Sequence, residues 1–189
     1  LRAGTVAVAN SLAAVLNESP ACLAFLPSLC RELLGADLLM PSVATWWCGQ
    51  PDALEAVVPN LEHLVIKPAF PRFGHHPEFP SRMSNAEREA LVHRLRARPV
   101  QYVAQEQVAL STTPTWTGRE VAPRHAVLRV LAAWDGNGYS VMPGGLARVS
   151  TAASSLVVTM QHGGGSKDTW VLGHDDQPPA AAPKPRRHL

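Results

Sequence analysis

Helical and extended signals are segregated along this chain, and that order restricts its fold more than any other feature. Helical signatures occur only before Pro99, and beyond it the chain reads as short extended runs joined by turns. Ser19-Pro20 is a helix N-cap followed by proline at the first helical position. Cys22, Leu23, Leu26, Leu29, Cys30, Leu33 and Leu34 then recur on one face until Gly35 stops the run. Pro27 inside that run predicts a kink or a split. A second, short helix spans Pro51 to Val58. Ser84-Asn85-Ala86-Glu87 is a capping box that opens a third helix through about Arg98. Its Arg88, Arg94, Arg96 and Arg98 read as a solvated face.

Extended runs are expected at Thr5–Ala9, at Leu64–Ile66 leading into Lys67-Pro68, and at Val100–Val108. The proline-rich stretch 68–83 between the last two reads as a loop. Ala126–Trp134 is a further strand, and Asp135-Gly136-Asn137-Gly138 after it is a strong hairpin turn. Tyr139–Met142, Leu146–Ser150, Leu156–Met160 and Thr169–Leu172 complete the series. The order is strand, helices, strand, helix, then an antiparallel meander. That is an α+β class, not βαβ alternation, and no G-x-G-x-x-G supports a Rossmann fold.

A chain of 189 residues suits one domain or the larger part of one. At that size roughly 70% of the unfolded surface can be buried. No apolar run reaches the roughly 18 residues of a membrane-spanning helix. Lys+Arg 17 against Asp+Glu 15 gives a net charge of +2, too little to argue for nucleic acid or a membrane surface. Cys22, Cys30 and Cys48 are odd in number and form no C-x-x-C. They fit free thiols in a reducing cytoplasmic setting. The opening Leu-Arg-Ala-Gly is not a signal-peptide start, and the expectation is a fragment whose upstream part is not included. The segment from Gly173 onward is expected to be a disordered tail.

Several residues have the chemistry of a site. Lys67 leaves an apolar strand, so its stem can pack while its ammonium meets an anion or solvent. Gln105-Glu106 pairs an amide with a carboxylate at a strand end, where they could bond a ribose or base edge or simply face water. Gln161-His162-Gly163-Gly164-Gly165-Ser166-Lys167-Asp168 frees backbone amides to approach an anion, or is a flexible turn. Met142 to Arg148 repeats that pattern with a glycine pair and a cation. Arg124 and Arg129 flank the start of a strand, and Arg129 lies inside Val-Leu-Arg-Val-Leu, where it should meet a carboxylate or a phosphate. His75-His76 has no obvious third metal ligand, and Trp46-Trp47 reads as packing.

A set of nine short runs in order carries a resemblance. They are Val-Ala-Asn at 8–10, Phe-Leu-Pro at 25–27, Leu-Leu-Gly at 33–35 and Pro-Ser-Val-Ala-Thr-Trp-Trp-Cys-Gly at 41–49. Leu-Val-Ile-Lys-Pro-Ala-Phe at 64–70, Tyr-Val-Ala-Gln-Glu-Gln-Val-Ala-Leu-Ser at 102–111 and Pro-Arg-His-Ala-Val-Leu-Arg-Val at 123–130 follow. Val-Met-Pro-Gly-Gly-Leu-Ala-Arg-Val at 141–149 and Gly-Gly-Gly-Ser-Lys-Asp-Thr-Trp-Val-Leu at 163–172 close the series. Together they resemble the C-terminal half of circularly permuted type 2 ATP-grasp proteins, of the glutathionylspermidine-synthase-like kind, over nearly residues 1–172.

The resemblance implies an ATP-grasp-like α+β fold: antiparallel sheets with helices packed on one side, in an incomplete domain. It implies the ATP-binding portion of a carboxylate–amine (peptide-type) ligase acting through an acyl-phosphate, with ATP and Mg²⁺ as cofactors. Small-molecule or peptide carboxylates and amines would be the substrates, without nucleic acid or membrane. Carried over by position, Lys67 matches a phosphate contact, Gln105 and Glu106 the adenine and ribose hinge, and Val108 a neighbour of the base. Asn10 matches an asparagine of the Mg²⁺ loop. Arg129 and Arg148 match phosphate or acyl-phosphate contacts, and Lys167 lies in the closing Gly-rich segment. Two departures stand out. Val8 replaces a carboxylate two residues before Asn10, and Pro71-Arg72-Phe73-Gly74-His75-His76-Pro77 replaces a glycine-rich phosphate loop. They keep open an alternative, a degenerate non-catalytic module binding nucleotide or a partner protein.

Overall fold

A computed structural model describes residues 5–6, 10, 14, 16–70, 76–152, 155, 158 and 165–172. The chain divides into two compact units, Leu1–Val108 and Ala109–Leu189.

In the first unit, helix α1 spans Pro20–Leu34. The Ser19 hydroxyl accepts from the Ala21 N–H and donates to the Ala69 carbonyl, while Gly35 takes the left-handed φ of 65° that ends the helix. Pro27 sits inside this helix without interrupting it. It lies on an exposed side, where water can take the carbonyl that proline's missing N–H leaves free. The leucine stripe is not a buried one: α1 has no buried residue. Strand β1 (Thr45–Trp47) follows, then helix α2 (Pro51–Val57), strand β2 (Leu64–Pro68), helix α3 (Asn85–Ala97) and strand β3 (Tyr102–Glu106). The capping box of α3 forms as its sequence predicts, with Ser84 and Glu87 bonding each other's backbone.

The strands make an antiparallel sheet in the order β1-β3-β2. Trp46-Trp47, whose sequence suggests packing, lies in the paired strand β1. Ile66, Leu64 and Ala104 lie on one face and meet Val57 and Leu61 from the α2 side and Leu91 and Leu95 of α3. This is the core of the unit, with Trp46, Leu54 and Tyr102 at its margin. Cys48 is buried in it, and burial pushes its thiol up to about 11, so it packs as a small hydrophobe.

The second unit is β-rich: β4 (Thr112–Trp116), β5 (Val121–Arg129), β6 (Ala132–Trp134), β7 (Tyr139–Val141), β8 (Gly145–Val149) and β9 (Gly165–Thr169). β6 and β7 form the expected hairpin, and Asp135 Oδ1 accepts from the Asn137 and Gly138 N–H groups at its turn. The other four strands form one antiparallel sheet, β4-β5-β8-β9. A flat sheet would hold its edge strands roughly 14 Å apart. Lys167 of β9 nevertheless donates to the Pro114 carbonyl of β4, so the sheet is curled. Its inner face carries half-buried Thr113, Thr115, Ala122, Ala126 and Ala147 and buried Val149. Its outer face exposes Trp116, Val121 and Val127.

The α+β class with antiparallel sheets is thus what the sequence order implies. Particular elements differ. Thr5 and Val6 are in a bend, not a strand, and 7–9 lie outside the described residues. The run 126–134 is two strands, because β5 pairs with β8 while β6 turns back onto β7. The last strand is 165–169 rather than 169–172. Pairing with β8 fixes it, overriding the low β propensity of Gly-Ser-Lys-Asp. Trp170, Val171 and Leu172 are exposed beyond it. Of 156–160 only Val158 is described, and it is not in a strand. The tail 173–189 lies outside the described residues.

Candidate functional site

Strand alternation decides what the first unit can bring together. Val103 and Gln105 of β3 point to one face, and Tyr102, Ala104 and Glu106 to the other. The second is the core face. On the first, register places Thr45 opposite Gln105 from one side and Val65 from the other, with Lys67 diagonal to Gln105.

A polar row crosses the sheet as a result. Lys67 Nζ donates to Gln105 Oε1 at 2.5 Å. Gln105 Nε2 donates to Thr45 Oγ1 at 3.0 Å. Thr45 Oγ1 donates to the Val43 carbonyl at 2.8 Å. Gln105 is only 9% exposed, so its amide must be satisfied within the protein, and this row does so. Lys67 is half-buried, and burial lowers its pKa from the usual 10.5. Among the described residues no carboxylate pairs with it. An ammonium held by a neutral amide oxygen keeps its charge and has donors left for an anion. The donor chemistry fits a phosphate.

Glu106 is exposed and belongs to the opposite face by alternation. Its N–H donates to the Ala44 carbonyl. It lines an opening of about 350 Å³ with Trp46, Asn60 and His63, and a second of about 470 Å³ with Glu62, Ser81 and Gln107. Val108, also exposed, ends the first unit. Asn10 is exposed at φ 71°, a left-handed conformation that asparagine tolerates. It offers one amide oxygen. Among the described residues no group of three or more His, Cys, Asp or Glu side chains could hold a metal. His75 lies outside them.

In the second unit, register puts Arg129 and Arg148 on the outer face of the curled sheet. Arg129 is exposed at the strand end, with no ion pair among the described residues. Arg148 is half-buried, and its Nε is buried without a hydrogen-bond partner among the described residues. Lys167 projects to the inner face. The glycine-rich segment is thus partly strand, not wholly a loop. Lys67 and Gln105 are brought together, and Thr45 joins them. Thr45 was not among the expected site residues, although a β-branched residue before two tryptophans signals a strand whose alternate side chains share a face.

Residues 1–150 match the family model described as circularly permuted ATP-grasp type 2. An uncharacterized protein of Mycobacterium tuberculosis is 36% identical over 90% of this chain and 31% of its own length. One from Synechocystis is 36% identical over 90% of this chain and 36% of its own. A Frankia casuarinae protein named "Putative glutamate--cysteine ligase 2-2" is 35% identical over 90% of this chain and 20% of its own. The chain spans about a third of the length of the first of these relatives.

Proposed function

The chain belongs to the circularly permuted ATP-grasp type 2 family, and from that premise we propose that it is the ATP-binding portion of a carboxylate–amine ligase of peptide type. The observation that carries the reading is the Lys67 ammonium, half-buried and held by the Gln105 amide rather than a carboxylate. Such a cation offers a triphosphate a full charge and free N–H donors. Bound ATP would supply the phosphoryl group that activates a carboxylate as an acyl-phosphate for attack by an amine. The residues of this chain do the holding. Lys67 neutralises phosphate charge, and Gln105 fixes where the ammonium sits. Glu106, on the other face at the same strand end, offers a carboxylate to ribose hydroxyls beside the apolar Val108. Arg129 and Arg148, which share the outer face of the second unit's sheet, are cations for phosphate or acyl-phosphate oxygens, and Lys167 offers a further cation for nucleotide on the inner face. Asn10 would contribute one neutral oxygen to a Mg²⁺ shell. The family generally uses ATP and Mg²⁺, and the naming of the Frankia relatives as putative glutamate--cysteine ligases supports ligase chemistry.

The test is Lys67→Ala in the full-length protein, titrated calorimetrically with the Mg²⁺ complex of an imido-bridged, non-hydrolysable ATP analogue. Loss of measurable binding is expected, and unchanged affinity refutes the assignment. Phosphate release with a panel of amino acids and peptides then separates ligase from a non-catalytic nucleotide module.

A further inference from the structure

We propose that Thr45 is a positioning residue for the nucleotide site: its hydroxyl sets which end of the Gln105 amide faces Lys67. The inference rests on the ATP-binding reading of Lys67.

Hydrogen-bond direction carries it. A threonine hydroxyl has one hydrogen. That of Thr45 goes to the Val43 carbonyl at 2.8 Å. Toward Gln105 the hydroxyl oxygen can therefore only accept, which requires the amide nitrogen on that side, 3.0 Å away. The amide oxygen must then face Lys67, and it does, at 2.5 Å. With the amide reversed, an N–H donor would point at an ammonium and a carbonyl oxygen at a hydroxyl with no hydrogen to give. Both contacts would be repulsive. Register enforces the arrangement, because Thr45 stands directly opposite Gln105 and Lys67 diagonal to it. A backbone carbonyl thus dictates the setting of the phosphate-binding cation two strand spacings across the sheet. The partner chosen for Lys67 is also neutral. It orients the ammonium without cancelling the charge that a polyphosphate needs.

The experiment uses the full-length protein and the same Mg²⁺–imido-ATP probe. Thr45→Val preserves shape and removes the hydroxyl; Thr45→Ser keeps the hydroxyl. Affinity about fivefold weaker is expected for Thr45→Val, the scale of one lost hydrogen bond, with Thr45→Ser restoring it. In a Gln105→Ala background Thr45→Val should add nothing, since its effect passes through the amide. A merely structural Thr45 would weaken binding equally in both backgrounds, and that result overturns the proposal, as does wild-type affinity in Thr45→Val. Should Lys67→Ala bind like wild type, the nucleotide reading falls by itself. The relay is then judged by the Gln105 side-chain amide resonances. These must shift in both Lys67→Ala and Thr45→Val if the row exists, and unmoved resonances overturn it.

Discussion

Replacing Gln105 by glutamate tests whether Lys67 works through its net charge. The change is nearly isosteric, but it turns the amide oxygen 2.5 Å from the ammonium into a carboxylate oxygen. The new ion pair would leave phosphate facing a dipole. An ammonium touching a phosphate at about 4 Å is worth about 4 kcal/mol at an effective dielectric of about 20. A carboxylate behind that ammonium stands about 6 Å from the same phosphate and repels it by about 3 kcal/mol on the same scale. Binding of the Mg²⁺–imido-ATP complex should fall by about a hundredfold, or about tenfold once solvent screening of the half-buried ammonium is allowed for. Stability should fall by about 1 kcal/mol, since the ion pair gains about what its desolvation loses while the Gln105 Nε2 donor to Thr45 Oγ1 is lost, and a thermal melt separates the two effects. Calorimetric titration of Gln105→Glu at low and moderate salt is the assay. Affinity equal to wild type, with the fold intact, would show that the Lys67 charge is not what holds nucleotide.

Two further outcomes follow from burial. Leu91 is 0% exposed in the core of the first unit, so Leu91→Ala should lose about 2–5 kcal/mol in urea denaturation, and a loss below that range would place the core elsewhere. Lys67 has a folded pKa lowered from 10.5 by burial. Between that lowered value and 10.5 the unfolded chain binds more protons, so this group makes stability rise with pH and level off above 10.5. Denaturation midpoints measured on either side of 10.5 should show that rise in wild type and not in Lys67→Met; parallel curves for the two proteins would contradict it.

Much of the fold was legible because its signals are local. The Ser84–Glu87 box, the Ser19 cap, the Gly35 stop and the Asp135–Gly138 turn each depend on residues within a few positions, and each forms. What failed depended on partners far along the chain. Nothing in Gly-Ser-Lys-Asp-Thr marks it as a strand until Gly145–Val149 lies beside it. Nor does Leu26 or Leu33 reveal that α1 buries none of its residues, since amphipathic spacing states which face is apolar and not whether anything covers it.

The candidate site divides along the same line. Its register partners are the part no local pattern could supply: residues 45, 67 and 105 become neighbours only when β1, β3 and β2 align. Adjacency in sequence misled in the opposite direction. Gln105 and Glu106 read as one amide–carboxylate pair, yet a strand sends consecutive side chains to opposite faces. Gln105 therefore serves the lysine, and Glu106 opens toward His63 and Asn60. A ligand engaging both must lie around the end of β3 rather than flat on either face. That geometry suits a nucleotide with its phosphates toward Lys67 and its ribose past the strand end. It also requires that Gln105→Glu and a Glu106 substitution weaken binding by separate routes, with losses that add.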